Sequence, residues 1–95
     1  MLPRKDYPII INTELQQLDF EIAKLQRKLE QSSDKTKHEY LELIDMMRSK
    51  LRKARSKLKA LEKATDENWD EVKLDLDHTR DALKSMLSST VAQVV

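Results

Sequence analysis

Gln31-Ser32-Ser33-Asp34 is the stretch on which the fold turns. Upstream of it, Leu15, Leu18, Ile22, Leu25 and Leu29 are spaced three, four, three, four, the stripe of a coiled-coil helix. Downstream, a second run holds Ile44, Met47, Leu51, Ala54, Leu58 and Leu61. Leu29 and Tyr40 stand eleven residues apart, a step that keeps a stripe on one face while locally unwinding a supercoil. The stretch therefore reads either as a stutter within one helix or as a break between two. Ser and Asp cost about half a kcal/mol each inside a helix, and no glycine is at hand to reverse the chain. These terms favour one continuous helix, with a break near 32–34, capped by Ser33, as the alternative.

The same eleven-residue step separates Leu58 from Trp69, and there the flanking charges point to a break. Lys57, Lys59 and Lys63 precede Thr65-Asp66-Glu67, which puts cations at one helix end and anions at the next start. The helix dipole favours that order by roughly 0.3–1 kcal/mol per group, and Thr65 or Asp66 can serve as the N-cap. A third run follows in Trp69, Val72, Leu76, Thr79, Leu83 and Met86. At the other end, Thr13-Glu14-Leu15-Gln16 matches the capping box and predicts a helix start near Thr13. Pro3, Pro8 and the β-branched triplet Ile9-Ile10-Ile11 predict an extended arm over residues 1–12. Residues 13–88 form the helical domain, and 89–95 read as a frayed tail.

The expected fold is all-α: an elongated antiparallel coiled-coil hairpin, with a long helix over about 13–64 and a shorter one over about 67–88. A three-helix bundle is the alternative. Composition agrees with either. The chain has 95 residues, no glycine, no cysteine and two prolines, both before position 9, so it lacks the turn chemistry of strand-rich folds. Charged residues make up 37% and aromatics 4%, as in long helices. No stretch approaches the roughly 20 apolar residues that span a bilayer, and the N terminus lacks a signal-type apolar core. A soluble, cytoplasmic protein is expected, and the missing cysteine fits that compartment.

Length then sets a problem of coverage. Helices over 13–64 and 67–88 would be about 78 Å and 33 Å long, so the shorter covers less than half of the longer. Leu15, Leu18, Ile22, Leu25 and Leu29 would remain bare, at roughly 1.5–3 kcal/mol per fully exposed side chain. Self-association through this seam follows, most simply as an antiparallel homodimer, with capture of a foreign partner helix as the other outlet. Leu51, Leu58 and Leu61 would close the hairpin core against Trp69, Val72 and Leu76. In the three-helix alternative, Leu25 comes near Tyr40, Ile22 near Ile44 and Leu18 near Met47, and a monomer needs no partner.

Leu58-Lys-Ala-Leu61-Glu-Lys-Ala64, Asp66-Glu-Asn-Trp69-Asp-Glu-Val72-Lys73 and Ala82-Leu83-Lys84, together with Glu39-Tyr40-Leu41, resemble a group of short bacterial coiled-coil proteins. Some members of that group carry a stress-response label. The resemblance spans about residues 13–88 and implies a bacterial, helical, non-catalytic protein, with no ligand residues to carry over. Members of the group often place a glycine before the Trp-acidic segment. This chain has none there, which puts a sharp turn near residue 66 in question.

Charge is the other organised feature. Arg48, Lys50, Arg52, Lys53, Arg55, Lys57 and Lys59 follow one another with no acidic residue between them. Asp66 to Asp81 holds seven acidic residues against Lys73 and Arg80, so the net charge of +1 conceals two opposed blocks. A hairpin would set them side by side, where pairing fixes register more than it adds stability. Left free, Arg48, Arg52, Arg55 and Lys59 could instead meet an anionic membrane surface. Nucleic acid is disfavoured, because no aromatic residue interleaves the block. Trp69 reads as a packing anchor, and Met46, Met47 and Met86 as core or seam. His38 and His78 are forty residues apart, and Asp75, Asp77, His78 and Asp81 read as a hydrated face rather than a metal site. Nothing in the chain supplies a phosphate loop, a cysteine nucleophile or a serine with its base. No cofactor is called for, and an enzyme is not expected.

Overall fold

In the computed structural model, which describes residues 4–32, 35 and 37–94, the chain is all-helical, with no strand among the described residues. It forms α1 (Tyr7–Glu30), α2 (Lys37–Glu62) and α3 (Trp69–Val94). The molecule is elongated, with principal extents of 51 × 17 × 17 Å over its Cα atoms. Asp19 meets both Arg48 and Arg55, and Gln26 meets Arg48, so α2 runs antiparallel to α1. Tyr7 meets Trp69 and Glu14 meets Arg80, so α3 runs parallel to α1.

The helix expected over 13–64 is therefore two helices. Gln31 N–H donates to Arg27 O at 3.2 Å and Ser32 N–H to Leu29 O at 3.1 Å, tightening the last turn of α1. Lys37 Nζ then donates to Glu30 O at 3.0 Å, a cation on the free carbonyls of the helix end. No described residue has positive φ, so the described residues of these turns use no left-handed backbone of the kind that favours glycine. The energetics explain why the break wins. Interrupting a helix forfeits about four internal hydrogen bonds, worth roughly 1 kcal/mol each. It allows five large aliphatic side chains of α1 to be buried, at roughly 1.5–3 kcal/mol each. The Ser33 cap, the Ser33-Asp34 half of the break, Pro3 and Val95 lie outside the described residues.

The helix start also moves. α1 begins at Tyr7, with Asp6 at the N-cap position in αR backbone and Pro8 in the first turn, where a missing N–H costs nothing. Thr13 is inside the helix, its hydroxyl donating to Ile9 O at 3.1 Å. The extended arm expected through residue 12 is thus helical from Tyr7 onward. Tyr7 and Ile11 continue the stripe of Leu15 back by two turns, and Ile11 is fully buried. Burial has overridden the extended preference of the isoleucine triplet.

The second break lies where the charges placed it, but its cap differs. α2 ends at Glu62 and α3 starts at Trp69, two residues beyond the expected 67. Val72 N–H donates to Asn68 O, so Asn68 rather than Thr65 or Asp66 immediately precedes the helix. The Asn68 side-chain oxygen accepts from both the Thr65 N–H (2.9 Å) and the Thr65 hydroxyl (3.1 Å), locking the turn without glycine. The tail expected to fray from residue 89 is helical to Val94. Thr90 is buried there, its hydroxyl donating to Met86 O at 2.8 Å, and Val94 packs against the core.

Candidate interaction surfaces

The five residues of the proposed oligomer seam line the interior of this chain. Leu15, Leu18, Ile22, Leu25 and Leu29 are all buried in a single apolar cluster with residues of α2 and α3. The premise that they lie bare in water is corrected: the break after Glu30 lets α2 and α3 cover them. Leu51, Leu58, Leu61 and Leu76 are buried in the same cluster, and half-buried Trp69 and Val72 pack against it. Tyr40 lines a small cleft with Leu29 and Val94, one turn along from the expected Leu25.

α2 divides the basic block by where its side chains point. Arg48 and Arg55 face α1. Arg48 donates from Nε and Nη2 to Gln26 Oε1 (3.1 and 2.7 Å), and its Nη1 lies 3.6 Å from Asp19 Oδ1. Arg55 Nη2 reaches Asp19 Oδ2 at 3.2 Å. Lys57 faces α3, meeting Asp75 Oδ1 at 3.0 Å and Thr79 Oγ1 at 2.8 Å. Of the four residues expected to meet an anionic surface, Arg48 and Arg55 are thus engaged within the chain. Arg52 and Lys59 are exposed, and neither they nor Lys53 forms an ion pair among the described residues.

The N-terminal ends of α1 and α3 meet in a cluster that periodicity alone did not reveal. The Tyr7 and Trp69 rings stand edge to face, 5.9 Å between centroids. The Arg4 guanidinium sits 4.8 Å over the indole and the Lys73 ammonium 4.7 Å over the phenol ring, both within cation–π range. Arg4 also meets Asp66 at 2.8 Å. Asp77 is the hub: it accepts the Tyr7 hydroxyl and pairs with Lys73 at 2.9 Å and Arg80 at 3.6 Å. Arg80 continues to Asp81 and, across to α1, to Glu14 at 3.4 Å. Glu14 Oε2 makes no hydrogen bond there, so that contact is purely ionic. Burial pushes the Asp77 carboxyl above its ordinary 3.8; Asp81 adds to the rise, while Arg80 and His78 oppose it. The sequence signal for this cluster was the four-residue spacing of Tyr7, Ile11 and Leu15, which the prolines obscured.

A recess of about 700 Å³ opens beside this cluster, lined by Arg4, Tyr7, Trp69, Lys73, Leu74 and Asp77 among others. The two cations that could greet a ligand there already rest on the aromatic rings. Among the described residues no three His, Asp or Glu side chains converge as a metal site requires. The acidic face singled out earlier is spent on pairing: Asp75 with Lys57, and Asp77 and Asp81 with Arg80.

One surface of α1 combines two exposed apolar side chains with an absence of charge between them. Ile9 and Phe20 are 66% and 58% exposed, eleven residues apart, which is three turns to within about 20°. Both point away from the core stripe. Asn12, Thr13, Gln16 and Gln17 fill the space between them, so this outward face carries no charge in a chain that is 37% charged. No helix among the described residues is long and apolar enough to cross a membrane. No protein-family model, curated protein or solved structure matches this chain.

Proposed function

We propose that this chain is a non-enzymatic interaction protein, a closed three-helix bundle that associates with other helices through its exterior rather than through its apolar seam. The observation that carries this reading is the uncharged outward face of α1 from Ile9 to Phe20. Leaving two large apolar side chains in water is costly, and the side chains between them are polar but uncharged, so no ion has to be desolvated when this face is covered. A second copy of the chain is the simplest occupant. Symmetric dimers set a surface patch against its own copy, so a charged face repels itself and an uncharged one does not.

Sedimentation equilibrium across a concentration series tests the reading. The wild type should approach twice the 11.2 kDa chain mass. Ile9→Glu with Phe20→Glu should return it to single-chain mass at unchanged helix content. A wild type that stays at single-chain mass at every concentration would overturn the homotypic reading, as would a dimer that survives both substitutions.

A further inference from the structure

We propose that the outward face of α2, formed by Arg52, Lys53 and Lys59, is a docking surface for anionic lipid headgroups. The proposal uses a different surface from the α1 association and stands whether or not that association occurs. Arg48, Arg55 and Lys57 are drawn to Asp19, Gln26 and Asp75, which spends their charge inside the molecule and pins α2 at both sides. That pinning fixes the rotation of the helix, and with it the direction in which the remaining cations point. Arg52 and Lys59 lie two turns apart on nearly one line, about 10 Å along the axis, with Lys53 beside them. Lys63 follows in the turn after α2, exposed, and it too has no ion pair among the described residues. Ser56 lies between Arg52 and Lys59 on the outward side, with Ser49 before them and Ala60 after, so the other side chains along this line are small.

The occupant follows from charge and shape. Among the acidic side chains of α2 near this side, Glu42 and Asp45 precede the patch and exposed Glu62 closes it beside Lys59, so Arg52, Lys53 and Lys59 form the basic stretch between them. A straight, rigid array of cations without an aromatic partner suits a planar layer of phosphate and carboxylate headgroups. It has no aromatic platform on which single-stranded bases could stack. Such contact is peripheral and salt-dependent, since the attraction fades within about one Debye length.

Cosedimentation of the full chain with phosphatidylserine–phosphatidylcholine vesicles, at low and at physiological salt, tests this. Binding should appear at low salt, weaken as salt rises, and vanish on phosphatidylcholine alone. Arg52→Glu with Lys59→Glu should weaken it at least about 25-fold, taking roughly fivefold per basic residue at an anionic surface. Lys24→Glu with Lys28→Glu makes the same change in net charge on α1 and should leave binding close to wild type. Equal loss in both double variants would overturn the proposal, because net charge and not this face would be responsible. So would an absence of bound protein at low salt. Tighter binding to duplex DNA than to vesicles, lost in the Arg52/Lys59 variant, would overturn the lipid assignment in favour of a nucleic-acid phosphate backbone.

Discussion

α1 carries two apolar lines with opposite fates. The inner line, Tyr7, Ile11, Leu15, Leu18, Ile22, Leu25 and Leu29, is buried along its whole length. The outer line, Ile9 and Phe20, stands in solvent on the opposite side of the same helix. Residue type does not separate them, since isoleucine occurs in both. What separates them is continuity: seven contacts spaced by three and four residues can be covered cooperatively by two neighbouring helices, whereas two side chains eleven residues apart cannot. Intramolecular folding takes the continuous stripe and leaves the sparse one in solvent.

That contrast is most directly broken by substitution. Ile22→Ala on the inner line should cost about 2–5 kcal/mol in urea unfolding, because it opens a cavity at a fully buried site. Phe20→Ala on the outer line should stay within about 0.5 kcal/mol when measured at concentrations where the chain is monomeric. Comparable costs at the two positions would mean that the outer line is covered as well. Tyr7 sharpens the picture where the inner line meets α3. Tyr7→Phe keeps the ring contact with Trp69 and removes the donor to Asp77, for an expected loss of about 1–2 kcal/mol. A smaller effect should divide the basic block of α2: Arg48→Ala should cost about 0.5–1 kcal/mol and less at high salt, while Arg52→Ala leaves stability unchanged.

The smallest expected effect is a pH dependence at Asp77. Burial raises its carboxyl, so the folded protein holds the proton more tightly than the unfolded chain does. The group therefore favours the folded state fully below 3.8, and that contribution is lost as pH rises through the higher folded value. The stability of wild type relative to Asp77→Asn should accordingly fall across this range in urea titrations at stepped pH. A difference that instead grew with pH would show that pairing with Lys73 and Arg80 outweighs burial.

Much of the interior was legible because a spacing of three and four residues reports a face whatever covers it. Leu15 through Leu29 announced their stripe, and the lysines before Thr65 announced the second break. The first break was not legible, because the decisive term is the burial of side chains far from residues 31–36, while the local sequence carries neither glycine nor proline. Thr13 misled for a related reason: its capping-box pattern is satisfied in sequence, yet Pro8 and buried Ile11 make an earlier start more favourable. The division of Arg48 and Arg55 from Arg52 and Lys59 needed the register of α1 against α2. A run of like charges in sequence does not say which members find partners.

Trp69 is the single tryptophan of the chain, and its indole lies beneath the Arg4 guanidinium and against the edge of Tyr7. Its emission is thus a built-in optical gauge of whether the start of α1 is docked, read separately from total helicity. If the fluorescence and circular-dichroism transitions coincide, the three helices melt as one cooperative unit. If the emission shifts first, α1 peels away at its amino end, and the leucines of its inner line become available to a neighbour for as long as the opening lasts.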